Sequence, residues 1–245
     1  METTDFIFGT QPVLEALKAG KEVEKILLQR DVKANVVFDI VQLAKDLKIP
    51  VSHVPSEKLN RVTRKNHQGV IAFMSSINYS SLDNVLDSAY RKGQSPLILV
   101  LDQVTDVRNF GAIARTAECA GVHGIVIPAK GSAQINSDAM KTSAGALNYI
   151  PVCRVEFLDK TLDFLKESGL QLVGCTEKAE KTLYHFDFTT PVAIIMGSEE
   201  KGISSSYLTK CDDKVLIPMV GQVGSLNVSV SAALVVYEAI RQRNI

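Results

Sequence analysis

The chain has 245 residues, 46% of them hydrophobic and 22% charged, which is typical of a globular protein with one large domain or two smaller ones. Its 27 basic and 27 acidic residues cancel, which argues against coating of nucleic acid through bulk charge but leaves local patches open. The N-terminus lacks the regions of a signal peptide, and no apolar stretch reaches the roughly 18 residues of a membrane span. We therefore expect a cytoplasmic protein with no membrane partner.

Residues 1–75 predict a small α/β domain. An apolar helical pattern over 11–20 has an early proline and ends at a glycine, and a second helix is predicted over 35–48. Short aliphatic runs predict strands at 24–29, 51–54 and 69–73. Helices and strands alternate, as they do in α/β units.

A basic segment, NRVTRKNHQG, precedes the last of these strands. It carries Arg61, Arg64, Lys65 and His67 with no acidic residue among them. Such a segment is either a solvated loop or a contact for the phosphates of a nucleic acid, and the residues alone leave both interpretations open. We refer to Arg61, Arg64 and Lys65 as the basic patch.

Polar residues dominate 76–94, which predicts a linker. Beyond it, 95–245 contains continuous runs of valine, isoleucine and leucine, mostly separated by segments with helical spacing. Such runs are typical of strands buried on both faces, so a mostly parallel sheet covered by helices is predicted. The predicted strands are LILVLD, GIVIP, YIPVCRV, LQLVGCT, VAIIMG and KVLIPM.

The cysteines and histidines are too scattered to predict a metal site. The 4 cysteines form no C-x-x-C pair and have no histidine pair nearby, so we expect buried thiols, without zinc and without a disulfide framework. The 4 histidines form no H-E-x-x-H motif, and G-x-S-x-G is absent. These absences argue against metal-dependent and serine hydrolases.

Three polar, glycine-containing loops are expected to meet at one edge of the predicted sheet. In a parallel sheet, ligands bind at the carboxyl ends of the strands. The three loops follow the strands LILVLD, VAIIMG and KVLIPM. The first loop carries a lone Gly111 instead of G-x-G-x-x-G, which argues against a dinucleotide-binding fold.

The stretch GSLNVSVSAALVVYEAIRQR, residues 224–243, combines small polar side chains with a helical apolar pattern. An apolar stripe recurs at helical spacing and predicts a helix that packs on the core through Val230, Leu234, Tyr237 and Ile240. Four small polar residues lie at the start of the pattern, and helix capping accounts for about one of them. They are Ser225, Asn227, Ser229 and Ser231. The surplus needs another explanation.

Three segments are similar, in order and spacing, to the motifs of the SpoU (TrmH-type) RNA ribose 2′-O-methyltransferases. They are LDQVTDVRNFGAIARTAECAG, IIMGSEEKGIS and IPMVGQVGSLNVSVSAALVVYEAIRQ. The N-terminal segments FGTQPVLEAL and HQGVIA resemble the bacterial members that methylate a guanosine ribose in large-subunit (23S) ribosomal RNA. Val107 departs from the pattern, because the family usually has proline there, and valine leaves the turn before Asn109 less stiffly preset.

The resemblance implies a SPOUT fold, in which the α/β domain over 95–245 has a mostly parallel sheet and a C-terminal trefoil knot. It also implies an N-terminal RNA-binding domain of the L30e type, a homodimer, and S-adenosylmethionine as cofactor without a metal. Gly197, Ile217 and Leu226 match the family's cofactor-binding positions. With ribosomal RNA as the implied partner, we expect the basic patch to contact that RNA.

Asn109, Arg115, Glu199, Ser225 and Asn227 match the family's catalytic positions. Methyl transfer from a sulfonium is an in-line displacement by the ribose 2′-oxygen, so alignment dominates. We expect the two asparagines to position groups, Ser225 to hydrogen-bond near substrate and cofactor, and Glu199 to order its partners. The later serines are expected to cap or pack the helix.

Arg115 is the proton acceptor proposed for the family, which is an awkward role for this side chain. A guanidinium has no spare lone pair, so we favour a clamp on a substrate phosphate. The alanines, isoleucine and threonine around Arg115 argue against a simple surface charge, because an unpaired buried charge would be costly.

Two other functions stay open. The first is an RNA-binding module that has kept the fold and lost the chemistry, although Asn109, Arg115 and Asn227 are all present. The second is methylation of transfer RNA or of another ribosomal nucleotide, as in antibiotic resistance. The separate N-terminal domain favours ribosomal over transfer RNA, but it does not identify the nucleotide.

Overall fold

Two compact units make up the structure, a computed structural model that describes residues 6–30, 32 and 35–243. The first unit runs to Asn78 and includes Gln134–Ser137, and the second comprises Tyr79–Ala133 and the chain from Asp138 onward. Among the described residues, no helix is long and apolar enough to cross a membrane. Residues 1–5, part of the segment inspected for a signal peptide, lie outside the described residues.

The first unit is a mixed sheet with helices packed on it. Its elements are β1 (Phe6–Phe8), α1 (Thr10–Lys18), β2 (Val23–Gln29), α2 (Asn35–Asp46), β3 (Val51–Val54), α3 (Ser56–Val62) and β4 (Val70–Met74). The strand order is β1-β4-β2-β3, with β2 and β3 parallel and β4 antiparallel to both of its neighbours. The predicted helices and strands are confirmed, whereas the sequence pattern predicts neither β1 nor α3.

The helices of the first unit pack on the sheet because their apolar residues fall on one face. Val13 and Leu17 of α1 are buried four residues apart, and Ile40 and Ala44 of α2 repeat the same spacing. They join the aliphatic side chains of β2 and β4 in one core. Burial of this core favours folding of the unit through the hydrophobic effect.

The second unit is built on a parallel sheet. Its elements are α4 (Leu82–Arg91), β5 (Leu97–Leu101), α5 (Val107–Cys119), β6 (Gly124–Pro128), α6 (Ser137–Thr142), β7 (Val152–Val155), α7 (Leu158–Glu167), β8 (Gln171–Cys175), β9 (Lys181–Thr182), β10 (Val192–Met196), α8 (Ser205–Leu208), β11 (Asp213–Leu216) and α9 (Val228–Arg243). The strand order is β7-β6-β5-β10-β8-β11-β9, and all of these neighbours pair in parallel. The predicted mostly parallel sheet is confirmed. The carboxyl ends of β5, β10, β8 and β11 therefore lie at one edge.

The predicted linker over 76–94 is wrong for most of its length, because α4 lies within it. Leu82, Val85 and Leu86 are buried at helical spacing and pack in the core of the second unit. The polar residues that suggest a linker include the exposed positions of this helix. A short amphipathic helix has a mixed composition, so only its periodicity distinguishes it from a linker.

Helix α9 exposes most of the stripe that was predicted to face the core. Val230, Leu234 and Tyr237, which we call the α9 stripe, are 46%, 42% and 50% exposed. The opposite face is buried, and its apolar residues are Val228, Ala232, Val235, Val236 and Ala239. Apolar residues surround this helix, so periodicity alone does not determine which stripe packs on the core.

The last turn of α9 is fixed to segments that are distant in sequence. The guanidinium of Arg243 donates hydrogen bonds of 2.6–3.3 Å to the carbonyl oxygens of Ser95, Pro96, Phe188 and Thr190. Two of these carbonyls directly precede β5, and the other two precede β10. Arg243 therefore joins the last turn of α9 to the starts of both central strands.

The cysteines lie in different environments and do not form a metal site. Cys119 is exposed, which contradicts the prediction of a buried thiol, whereas Cys153 is buried and Cys175 and Cys211 are half-buried. Burial raises the pKa of Cys153 and Cys175 to about 12, and that of Cys211 to about 11. These three therefore stay as thiols near neutral pH. In the described part of the chain, no three His, Cys, Asp or Glu side chains are grouped to hold a metal ion.

Candidate active site

Glu199 is the centre of a hydrogen-bonded cluster that joins the loops after β5, β10 and β11. Its Oε1 accepts from Nδ2 of Asn109 at 3.0 Å, from Nδ2 of Asn227 at 2.5 Å and from the backbone N–H of Val228 at 3.1 Å. Nδ2 of Asn227 also donates to Oδ1 of Asn109 at 3.0 Å, across 118 residues of sequence. The three loops thus meet at one edge of the sheet. We refer to Asn109, Glu199 and Asn227 as the Glu199 cluster.

The first turn of α5 holds Asn109 in place. Oδ1 of Asp106 accepts from the backbone N–H groups of Arg108 and Asn109, both at 2.8 Å, which caps the helix. Val107 is the first residue of α5, a position where proline is favourable because its backbone angle is preset. The Asp106 cap fixes this turn although residue 107 is valine.

Asn227 caps α9 as well as joining the Glu199 cluster. Its Oδ1 accepts from the backbone N–H of Ser229 at 2.9 Å and from the hydroxyl of Ser229 at 2.5 Å. The later serines were expected to cap or pack the helix; Asn227 is the residue that caps it, and Ser229 donates to this cap. The side-chain amide of Asn227 thus makes two kinds of contact, because Oδ1 accepts from the first turn of α9 and Nδ2 donates to Glu199.

A pocket of about 370 Å³ adjoins the Glu199 cluster. The three residues predicted to bind the cofactor, Gly197, Ile217 and Leu226, all line this pocket, together with Ser225 and Glu199. Its volume lies in the range of small-molecule sites, about 300–1,000 Å³. Aliphatic and charged side chains both contribute to the wall, so the pocket suits a ligand with apolar and charged parts.

Gly197 is required by the folding of its own loop. A Cβ atom at this position would lie 2.0 Å from the carbonyl carbon of Gly202 and 2.2 Å from the backbone nitrogen of Ile203. Ser198 and Gly202 form an antiparallel bridge, and the N–H of Gly202 donates to the carbonyl of Ser198 at 2.9 Å. The loop therefore closes on itself and carries Glu199 between its two sides.

The loop after β8 also lines the pocket, and sequence reasoning missed it. Thr176, Glu177 and Lys178 contribute to the wall. β8 lies directly beside β10, so its carboxyl end is next to Gly197. A polar turn after a buried strand is the available signal, but the strand order that makes it relevant cannot be read from the sequence.

A second pocket, of about 320 Å³, shares several lining residues with the first, including Glu199 and Val228. Thr105, Asp106 and Asn109 line only the second pocket. The Glu199 cluster therefore borders two adjoining pockets. Such an arrangement can hold two ligands on either side of a group of polar side chains.

Arg115 does not join the Glu199 cluster. It is exposed on α5, six residues after Asn109, and at 100° per residue the two side chains point to different sides of the helix. Within one chain, the expectation of a buried or closely paired Arg115 is therefore wrong. Its guanidinium is accessible from solvent.

The basic patch lies at the surface of the first unit. Arg61 is in the last turn of α3, and Arg64 and Lys65 follow it, all three exposed. His67 has a different environment, because its Nδ1 accepts from the backbone N–H of Gly69 at 3.0 Å. The histidine therefore stabilises the turn before β4, and the three cations are left to face solvent.

Comparisons with known proteins match both units. The SpoU rRNA Methylase family matches residues 96–237, and the family described as RNA 2′-O ribose methyltransferase substrate binding matches residues 6–80. A Bacillus subtilis protein, YacO, which is assigned to the TrmH family of tRNA/rRNA methyltransferases, is 37% identical over 240 residues. The match covers 98% of this chain and 96% of YacO.

Solved structures share the fold. The SpoU methyltransferase AviRb from Streptomyces viridochromogenes, solved with the cofactor AdoMet, is 26% identical, with a TM-score of 0.63 over 98% of this chain and 90% of that one. A crystal structure of an RNA 2′-O ribose methyltransferase is 30% identical, with a TM-score of 0.60 over 98% and 89% of the two chains. Fold and motifs together define an α/β enzyme that methylates RNA. The chain belongs to the SpoU (TrmH-type) family.

Proposed function

We propose that the protein transfers a methyl group from S-adenosylmethionine to the ribose 2′-hydroxyl of a guanosine in 23S ribosomal RNA. The observation that carries this proposal is the Glu199 cluster at the border of two pockets, because methyl transfer needs donor and acceptor held in line. Membership of the SpoU family supports the reaction class. The N-terminal resemblance supports the guanosine and the ribosomal RNA.

The chemistry of the first pocket fits S-adenosylmethionine. Ile217 and Leu226 offer apolar surface for the adenosine part, and Glu177 and Lys178 offer opposite charges for the amino and carboxyl groups of the methionine part. The complex of AviRb with AdoMet supports this choice. When bound, the cofactor supplies a methyl group that is already activated on a sulfonium. Ser225 lines the same pocket, and its hydroxyl is proposed to hydrogen-bond to the substrate or the cofactor.

The Glu199 cluster orients the two asparagines. Oε1 of Glu199 accepts hydrogen bonds, so Nδ2 of both amides turns toward it. Oδ1 of Asn109 accepts one bond from Asn227 and keeps a second lone pair for the 2′-hydroxyl. The cluster thereby holds the hydroxyl and its proton in one direction, and this preorganisation lowers the barrier to displacement.

Arg115 is proposed to clamp a phosphate of the RNA. Its exposed position on α5 suits a macromolecular substrate that approaches from solvent. A planar guanidinium can bind two phosphate oxygens at once, which also stabilises negative charge that develops on the attacking oxygen.

A homodimer through the α9 stripe is proposed. Val230, Leu234 and Tyr237 form an apolar face that remains exposed in the single chain, and such faces mark protein interfaces. Leu234→Glu should convert a dimer to a monomer in sedimentation velocity, whereas Leu234→Met should not. A dimer that survives Leu234→Glu would show that the interface lies elsewhere.

The first unit is proposed to bind the RNA substrate, and the second to carry catalysis and the family's trefoil knot. The match of residues 6–80 to a substrate-binding family and the exposed basic patch support the first role. The bonds from Glu199 to Asn227 and Val228 support the second, because they tie the loop after β10 to the C-terminal segment. A ribosomal RNA substrate would be met in the cytoplasm.

Mapping of ribose methylation in RNA from cells with and without the gene tests the function. One guanosine of 23S ribosomal RNA should lose its 2′-O-methyl group without the gene, and the purified protein should restore it with S-adenosylmethionine. Loss from transfer RNA instead would identify the second candidate, which the tRNA/rRNA assignment of YacO leaves open. No change in any RNA would contradict an enzymatic role.

A further inference from the structure

We infer that Asp102, Gln103 and Ser204 form a bracket that positions Glu199 for methyl transfer. The inference rests on the proposed role of the Glu199 cluster. It assigns a positioning function to three side chains that do not belong to that cluster.

The bracket joins the end of β5 to the far end of the loop that carries Glu199. Oδ2 of Asp102 accepts from the backbone N–H of Ser204 at 2.7 Å, across 102 residues of sequence. Nε2 of Gln103 donates to the hydroxyl oxygen of Ser204 at 2.9 Å. Ser204 is therefore bound through both its backbone and its side chain to two consecutive residues of one strand end.

The residues of the bracket are unusual for their positions. Asp102 is 3% exposed, and a buried carboxylate is unfavourable unless it is hydrogen-bonded. Gln103 has φ = 57°, in the left-handed region that favours glycine over residues with a Cβ. Strained backbone of this kind clusters at functional sites. The side-chain bond to Ser204 gives a reason for glutamine at a position that glycine would occupy without strain.

The bracket fixes one end of the loop that carries Glu199, and strand pairing in the sheet fixes the other end. At the near end, the N–H of Asp102 donates to the carbonyl of Met196 at 2.8 Å, which pairs β5 with β10. At the far end, Ile203 is buried in the core beside the bracketed Ser204. Glu199 lies between these two fixed points. The strand end that forms the bracket also leads into α5 and Asn109, so the bracket sets the separation of Glu199 and Asn109.

A matched tie of the same chemistry exists in the same unit. Oδ2 of Asp212 accepts from the backbone N–H of Leu172 at 2.8 Å, and Asp212 lines neither of the two pockets. Asp212→Ala therefore removes a carboxylate-to-backbone bond, together with the salt bridge between Oδ1 of Asp212 and Lys166 at 2.7 Å, without touching the loop of Glu199. It shows what the loss of such contacts does to stability when the loop is unchanged.

Single-turnover methyl transfer by the full-length protein tests the bracket. Asp102→Ala should lower the rate about 10- to 100-fold, as expected for a small misplacement of reacting groups, with the KM for RNA changed less than about threefold. Asp102→Asn keeps an oxygen that can accept from Ser204 and should retain most of the rate. Asp212→Ala should lower the melting temperature and leave the rate within about twofold of wild type. Equal rate losses in Asp102→Ala and Asp212→Ala, at matched loss of stability, would overturn the inference.

Gln103→Gly provides a test that does not depend on Asp102 variants folding. Glycine accepts the left-handed backbone, so this variant should fold at least as stably as wild type. It removes the bond to Ser204 and also the part of the second pocket's wall that Gln103 contributes, whereas Ser204→Ala removes the same bond at a residue that lines neither pocket. We expect a several-fold loss of rate, and no further loss when Ser204→Ala is added, because both changes delete the same bond. A wild-type rate for Gln103→Gly, or additive losses in the pair, would contradict the bracket.

Glu199→Gln, measured in parallel, separates the two levels of the proposal. If Glu199→Gln leaves methyl transfer unchanged, the proposed site is wrong and the bracket has nothing to position. If Glu199→Gln abolishes transfer while Asp102→Ala and Gln103→Gly do not reduce it, the site stands and the bracket alone is wrong.

Discussion

The Glu199 cluster and the basic patch use polar side chains in opposite ways. In the cluster, the single oxygen Oε1 of Glu199 accepts three hydrogen bonds, one from the first turn of α5 and two from the start of α9 and the residue before it. In the basic patch, three cations face solvent at the end of a short helix. Displacement at a defined atom needs fixed geometry, whereas attraction of a polyanion needs only charge. Changes in the cluster should therefore affect rate, and changes in the patch should affect RNA binding.

The largest effect is expected for Asn227→Asp. Aspartate keeps the acceptor that caps α9 but replaces the donor to Glu199 by a second carboxylate. Methyl transfer should fall on the order of 100- to 1,000-fold at pH 7.5, because like charges disrupt the cluster. Adjacent carboxylates raise the pKa of one of them, so part of the activity should return as the pH is lowered. Activity within a few-fold of wild type at pH 7.5 would remove Asn227 from the cluster's function.

Arg115→Lys should lower the rate of methyl transfer by roughly 100-fold, because an ammonium group cannot bind two phosphate oxygens at once as a planar guanidinium does. Arg115→Ala should lower the rate slightly more. A clamp lowers the whole pH–rate curve without moving it, whereas a base would shift its alkaline rise. Arg108→Lys, another exposed arginine on α5, is the control and should be near wild type. Near-wild-type turnover of Arg115→Lys would exclude the clamp.

The basic patch should affect binding without affecting the chemical step. Changing Arg61, Arg64 and Lys65 to Glu should weaken RNA binding and reduce the slope of log affinity against log salt by roughly one unit per lost phosphate contact. Cofactor affinity should stay the same. Lys18, Lys21 and Lys45 are equally exposed in the same unit, and their change to Glu controls for overall charge. Equal effects of the two triple variants would show that the patch has no special role.

The smallest effect on function is expected for a change in the core of the second unit, away from both regions in sequence. Leu86→Ala should lower the free energy of unfolding by about 2–5 kcal/mol, as for other buried leucines, with rate and RNA affinity unchanged below the melting transition. Leu47→Ala, at a side chain 46% exposed, should change stability by less than about 0.5 kcal/mol. Chemical denaturation measures both. Equal stabilities of the two variants would mean that α4 does not pack as described.

Periodicity and apolar runs predicted the sheet of the second unit because its central strands are buried on both faces. All five residues of β5 and of β10 are buried, and the sequence shows them as unbroken aliphatic runs. The same reasoning failed for α4, whose polar residues suggested a linker although one side of the helix is buried. It also failed for α9, where apolar residues lie on all sides and the buried side was not identified. Composition and periodicity carry information about burial, but they do not identify the partner surface.

The candidate site was predicted in part. The motif resemblance singled out Asn109, Glu199 and Asn227, which the structure brings within hydrogen-bonding distance, and three residues predicted to bind the cofactor, which line one pocket. The role of Asn227 as the cap of α9 was missed, because a sequence does not show which of several polar residues reaches the first turn. The bracket was missed as well, because Asp102 and Gln103 follow an apolar run and look in the sequence like the ordinary polar end of a strand.

The hydrogen bonds of Arg243 bear on how the second unit folds. They join residues that lie 148 and 147 positions apart at Ser95 and Pro96, and 55 and 53 positions apart at Phe188 and Thr190. A long loop must close before such a contact can form, and contacts of long sequence separation slow folding. We therefore expect the docking of the last turn of α9 to be a late step in the folding of the second unit.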